Sequence, residues 1–176
     1  YIRKIAAGIS PDYPVGSRET VAEVTVSSEK PAYGFMERRV KDPSHKLVAV
    51  ELVPPLNADD EKLLDAAHIL KNAEVDVVTF PDSPSGRTRA DSVLMAEKIR
   101  LETGLCVMPH ICCRDKNAIA IRSTILGASL NHITNFLLLT GDPVPVLFRQ
   151  TTKSVFNFDS VGMMKIVQEM NSDTFS

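Results

Sequence analysis

The sequence predicts an α/β fold in which parallel strands alternate with helices. Three observations carry this. Four short apolar runs recur, at 47–53, 75–80, 105–111 and 133–140. Each is followed by a segment whose apolar residues fall at helical spacing. Each run also delivers a polar group near its carboxyl end. Strands covered on both faces read as nearly continuous apolar runs, as in parallel sheets, whereas half-solvated strands alternate.

The first run, Leu47–Val53, reads as a strand stopped by Pro54 and Pro55. Asn57 is placed to cap a helix at about 59–72, with Leu63, Ala67 and Leu70 on one stripe. Val75–Phe80 is a second strand. The loop "PDSPSGRTR" leads to a helix at about 89–103, which Gly104 ends. Leu105–Ile111 is a third strand. Asp115 is placed to cap a helix at about 116–130, striped by Ala118, Ile121, Ile125 and Ala128. Ile133–Thr140 is the fourth strand. After a long loop, a helix at about 159–170 carries Met163, Ile166, Val167 and Met170. Two architectures accommodate four such units: a doubly wound open sheet, or half of an eight-stranded barrel.

Residues 1–46 differ in character. "YIRKIAAGIS" has the makings of a short helix, and "ETVAEVTVSSEKPAYGF" of one strand. Four prolines and clustered charges mark the stretch as a linker or the tail of a preceding domain. The chain starts at Tyr1 and shows no signal peptide, the expectation for a piece of a longer protein.

Composition narrows the function classes. With 44% hydrophobic and 24% charged residues, the chain is an ordinary globular sequence. A formal net charge of −2 gives no basic surplus for nucleic acid. No apolar run approaches the roughly 20 residues of a membrane span. The odd, clustered cysteines Cys106, Cys112 and Cys113 make a poor disulfide framework, and a reducing cytoplasm is expected. No metal site is expected, because C-x-x-C is absent and adjacent cysteines in an extended segment point oppositely. The first strand–helix turn lacks glycine, and neither G-x-G-x-x-G nor G-x-x-x-x-G-K occurs, so the Rossmann and P-loop readings lose their usual support.

The strand ends are where chemistry is expected. Strand one carries Glu51, strand two ends in Thr79, strand three in Pro109–His110, and strand four in Thr140–Gly141–Asp142. In parallel α/β folds the carboxyl edge of the sheet holds the active site. Alternatives stay open for each residue. Glu51 can be a structural ion-pair partner, and His110 a satisfied core histidine. Asp142 can be a turn residue before Pro143. Arg87 and Arg89 can bind phosphate or lie solvated on their loop.

Four segments, "VELVPP", "VVTF", "PHICCRD" and "LLLTGDPVP", together resemble methylenetetrahydrofolate reductase, a flavin-dependent (βα)8 TIM barrel. "FNFDSVGMMKIVQEMN" resembles the loop and helix after its fourth strand, notably in the branch fused behind a homocysteine S-methyltransferase domain. The resemblance covers about 47–170 and implies the amino-terminal half of the barrel, with residues 47–176 supplying four βα units. It implies reduction of 5,10-methylenetetrahydrofolate to 5-methyltetrahydrofolate, with FAD as cofactor and NAD(P)H as reductant. Glu51 matches the general acid. Thr79, His110, Gly141 and Asp142 match residues lining the flavin, and Phe80 and Thr140 occupy neighbouring contact positions. Asp142 is also expected to be a second catalytic residue, because an anion near the flavin or the pterin can tune the redox potential and orient the folate. Thr140 stands where the family often has Arg, Phe80 where it often has Tyr, and Cys112 where a hydroxyl is common.

The implied chemistry gives Glu51 a reason to lie in an apolar run. N10 of the folate must be protonated to leave. A carboxyl among Val50, Leu52 and two prolines has its charged form disfavoured, and is expected to be buried and protonated near neutrality. The Gly141 backbone is expected to allow close approach of the cofactor. The implied partners are the folate and NAD(P)H, with a homo-oligomer and a fused homocysteine methyltransferase domain also compatible. Two other classes stay open: a folate-binding, methyl-transferring barrel without flavin, and a non-catalytic assembly module.

Overall fold

The computed structural model describes residues 34–172. The helix and strand expected before residue 33 lie outside the described residues. Four strands, β1 (Ala49–Glu51), β2 (Val77–Phe80), β3 (Val107–Cys112) and β4 (Leu137–Leu139), form one parallel sheet in the order β1-β2-β3-β4. A short helix, α1 (Glu37–Lys41), precedes them. Helices α2 (Glu61–Asn72), α3 (Ser92–Thr103), α4 (Ala118–Leu130) and α5 (Ser160–Asn171) each follow a strand. Spatial order equals sequence order, and each of these four helices contacts the next. A doubly wound sheet reverses its strand order at a switch point. This sheet does not, and it corresponds to the first half of a TIM barrel.

Period-2 alternation divides the sheet into two faces. Val78, Phe80, Leu105 and Val107 pack with Leu63 and Ala67 of α2 and Ala96 and Ile99 of α3. Ile111 and Cys113 pack with Ile121 and Ile125 of α4 and Met163 and Ile166 of α5. These residues form the helix-side core. Their neighbours Glu51, Thr79, Met108, His110, Cys112, Leu137 and Leu139 therefore face the barrel interior. Burying a core side chain of this size contributes roughly 1.5–3 kcal/mol, so the helix side carries most of the hydrophobic stabilisation.

The elements predicted from residue 47 onward are all present; each begins later than predicted, and β3 and α5 end one residue later, at Cys112 and Asn171. β1 spans three residues of the predicted seven, because Pro54 and Pro55 follow and β1 lies at the sheet edge. Two caps differ from expectation. Asn57 does not cap α2: its Oδ1 accepts the Asp59 N–H at 3.4 Å, and Asp59 in turn accepts the Glu61 N–H at 3.2 Å. These local side-chain bonds delay the helix by two residues. Asp115 does not cap α4: its carboxylate pairs with Arg114, and Asn117 caps instead by accepting the Ala120 N–H at 3.0 Å. Asp91 and Asp159 cap α3 and α5, and Gly104 closes α3 with φ +68°.

Candidate active site at the strand carboxyl ends

The parallel register sets Glu51 beside Thr79, and Thr79 beside Met108. His110 is two residues farther along β3 on the same face, beside Leu137. Glu51, Thr79 and His110 thus come together on the interior face, as the strand-end pattern predicts. The expected burial of Glu51 is not seen: Glu51 is exposed. Its aliphatic neighbours Val50 and Leu52 belong to the other side of the strand, because consecutive residues alternate. These four strands therefore do not supply the desolvation argued from the sequence.

His110 is 6% exposed, and its Nε2 has no hydrogen-bond partner. Burial lowers its pKa, against the opposing pull of the Glu51 and Asp82 carboxylates. The ring is consequently neutral at pH 7, and its Nε2 is buried on the interior side of the sheet. Buried polar atoms are rarely left unpaired, and each exception calls for an explanation such as a bound water, an ion or a catalytic role. This orphaned nitrogen fits a polar ring ligand lying over the strand ends.

Phe80 is placed differently from its neighbour. It is 0% exposed and packs in the helix-side core, so only its backbone is available to the interior. Thr140 follows β4; its Oγ1 accepts the Ser160 N–H at 3.2 Å, and its carbonyl oxygen lies 3.3 Å from the Cys113 sulfur. Gly141 has φ +92°, and a Cβ there would lie 2.8 Å from Cys112 Cβ. The need for glycine comes from this contact within the chain. Asp142 is exposed, and its Oδ2 accepts the Ser85 N–H at 2.6 Å.

Charged residues just past the strands, not singled out from the sequence, knit these loops together. Asp82, two residues after β2, accepts from Lys116 Nζ at 2.7 Å and from the Cys112 N–H at 3.1 Å. Burial works against its charge, but the Lys116 ammonium and the donated hydrogen bonds outweigh it and leave the carboxyl below the usual range. Arg114, just past β3, donates to Asp115 through Nε and Nη2. Its Nη1 donates to the Ser83 carbonyl at 3.0 Å and the Asp142 carbonyl at 3.4 Å. The signal was present in "PDSPSG" and "CCRDKN": an acid lies two residues past one strand, and basic residues lie two and four residues past its neighbour.

Arg87 and Lys153 line a cleft of about 700 Å³ with Arg114 and Asp115, while Arg89 is half-buried with its Nε unpartnered. Cys112 faces the interior, its thiol pushed up to about 11 by burial and the nearby Asp82 carboxylate. Cys113 faces the helices, where its thiol donates to the Phe158 carbonyl at 2.6 Å. The pair cannot converge on one metal ion. No helix among the described residues is long and apolar enough to cross a membrane.

Solved structures similar to this chain include the carboxyl transferase domain of Rhizobium etli pyruvate carboxylase with pyruvate, at 16% identity and TM-score 0.41, aligning 79% of this chain with 26% of that one. The same domain with oxamate and biotin aligns at 16% identity and TM-score 0.39, covering 73% and 24%. Without those ligands it aligns at 17% and 0.39, covering 78% and 25%. The chain thus spans about a quarter of these structures, and likeness at this level carries no argument. A search of curated proteins finds no match. A family profile described as methylenetetrahydrofolate reductase matches residues 36–176, well over half of the sequence. The chain belongs to the methylenetetrahydrofolate reductase family.

Proposed function

We propose that the interior strand-end face takes part in reducing 5,10-methylenetetrahydrofolate to 5-methyltetrahydrofolate with FAD and NAD(P)H, Glu51 acting as general acid. The observation that carries this is the meeting, in a chain of this family, of a carboxyl group and a buried, unpartnered His110 Nε2 on one side of the strand ends. Residues 47–176 are the amino-terminal half of the barrel in this reading, with residues 1–46 a linker or the tail of a preceding domain. A fused homocysteine methyltransferase domain, a homo-oligomer and a cytoplasmic setting are compatible with it.

His110 Nε2 and the Thr79 hydroxyl are the groups that hold the flavin from this half, and the Gly141–Asp142 segment borders it. When bound and reduced, the flavin supplies hydride. As general acid, Glu51 delivers a proton from its carboxyl oxygen to N10 of the folate. The bond between N10 and the methylene carbon then breaks with its electron pair going to N10, and the carbon becomes an N5 iminium ready for hydride. Glu51 needs cover to hold that proton. In a closed barrel, the facing strands would provide it. Asp142, exposed at the rim and anchored by the Ser85 N–H, orients the pterin.

Glu51→Gln in the full-length protein is the test. The purified protein is expected to be yellow, and the variant to keep its flavin and its reduction by NAD(P)H. Folate reduction should fall by roughly 10²–10⁴-fold, the usual share of general acid catalysis. Near wild-type folate turnover overturns the assignment of Glu51. A colourless protein that still binds folate favours the methyl-transferring barrel, and binding of neither ligand favours the assembly module.

A further inference from the structure

The turn after β2 is held in an unfavourable shape. Ser83 has φ +47°, Ser85 φ +56° and Gly86 φ +65°. A non-glycine residue in this region costs roughly 1–3 kcal/mol and persists only where surrounding contacts over-determine it. Those contacts come from the two neighbouring loops. Arg114, 2% exposed, donates from Nη1 to the Ser83 carbonyl at one end of the turn. Asp142 accepts the Ser85 N–H at the other. The same Nη1 reaches the Asp142 backbone carbonyl, so one guanidinium touches both the strained turn and the main chain of the residue whose carboxylate holds Ser85. Asp115 fixes the guanidinium from behind by accepting from Nε and Nη2. Gly86 lies so near the β4 loop that an added Cβ would sit 2.6 Å from the Pro143 carbonyl oxygen. Beyond the turn, Arg87 and Thr88 enter the cleft that Lys153 lines from the opposite loop.

We propose that Arg114 is a positioning residue: through Ser83 and Asp142 it holds the strained 83–86 turn and the Gly141–Asp142 segment in one fixed arrangement. Planar, forked donors suit this task. A lysine carries the charge but cannot grip Asp115 and reach the Ser83 carbonyl with the same geometry. Without the fork the turn relaxes toward ordinary φ, the Ser85 N–H leaves Asp142, and that carboxylate loses its fixed direction. The effect on turnover rests on the function proposed above; the effect on the turn does not.

Hydrogen exchange on the full-length protein, in wild type and Arg114→Lys, separates the two. The Ser85 and Gly86 amides should exchange about tenfold faster in the variant, the scale expected for losing one net hydrogen bond. The KM for 5,10-methylenetetrahydrofolate should rise several-fold, with flavin content unchanged. Adding Ser83→Gly and Ser85→Gly, which remove the penalty for positive φ, should restore most of the protection. If Arg114→Lys fails to fold, Asp115→Asn loosens the grip at a half-exposed carboxylate and should speed exchange at the same amides. Unchanged exchange in the soluble variant, or no recovery with the glycine pair, overturns the proposal. Faster exchange in a protein that never reduces folate leaves the clamp standing and sinks only the assigned reaction.

Discussion

Asp142 and Ser85 lie 57 positions apart in sequence, yet the carboxylate of the first accepts the backbone N–H of the second at 2.6 Å. The bond ties the loop after β4 to the loop after β2 across the strand between them. A residue placed at the site rim is thus also a structural anchor, and its two contributions are separable.

Asp142→Asn keeps an oxygen that can accept the Ser85 N–H but removes the charge. We expect stability within about 0.5 kcal/mol of wild type, with lowered folate turnover and a shifted flavin potential. Asp142→Ala also removes the acceptor, at a cost of about 1 kcal/mol read from the urea midpoint. Equal turnover in wild type and the Asn variant, with the same flavin potential, would show that the charge has no part in the chemistry.

Gly141→Ala should be costly. The new Cβ meets Cys112 Cβ at 2.8 Å on a backbone with φ +92°. We expect a loss of about 2–4 kcal/mol from the clash and the strained backbone together. Cys112→Ala in the same chain keeps Cβ but removes the sulfur 3.1 Å away, so it should recover only part of the loss. A double-mutant cycle by chemical denaturation measures that coupling, and strictly additive losses would show that the sulfur contact is harmless.

The cysteines should react in a definite order. Cys106 is exposed, whereas Cys112 and Cys113 are buried. At pH 8 the Cys112 thiol, pushed up to about 11, holds its proton. Mass mapping after brief iodoacetamide treatment of the native protein should find Cys106 modified well ahead of the other two. Early labelling of Cys112 would mean that the loop over it opens readily.

Acid should weaken the loop network at Asp82. Its folded pKa is lowered, despite burial, because the Lys116 ammonium and the Cys112 N–H favour the charge. Its contribution to stability is therefore complete above the unfolded carboxylate value near pH 4 and is lost as pH falls through the lower folded value. Asp82→Asn should lower stability at pH 7, where it leaves Lys116 unpaired, and should flatten the loss of stability below about pH 4. Urea midpoints of both proteins from pH 7 down to about pH 2 test this. Parallel curves would remove Asp82 from the acid response.

The sheet and its helices were legible because periodicity is a direct imprint of burial. Ile121, Ile125 and Ala128 on α4, and Met163 and Ile166 on α5, are buried as their spacing predicts. Side-chain direction at the strand ends was harder. Thr79 and Phe80 are adjacent in sequence, yet one faces the interior and the other the helix-side core. Glu51 looked buried because apolar residues flank it, but its flanks lie on the opposite side of the strand. Asp115 looked like a helix cap until Arg114, buried beside it, claimed the carboxylate. That pairing, like Asp82 with Lys116, depends on how loops fold over the sheet, which local patterns do not encode.

The outer edges of β1 and β4 have no strand beside them among the described residues, and the leucines of β4 at 137 and 139 are 39% and 37% exposed. Free strand rims beside uncovered aliphatic side chains are templates for unwanted pairing. Residues 34–172 expressed without further strands should therefore self-associate as concentration rises, and a soluble preparation will need whatever segment lies against those rims.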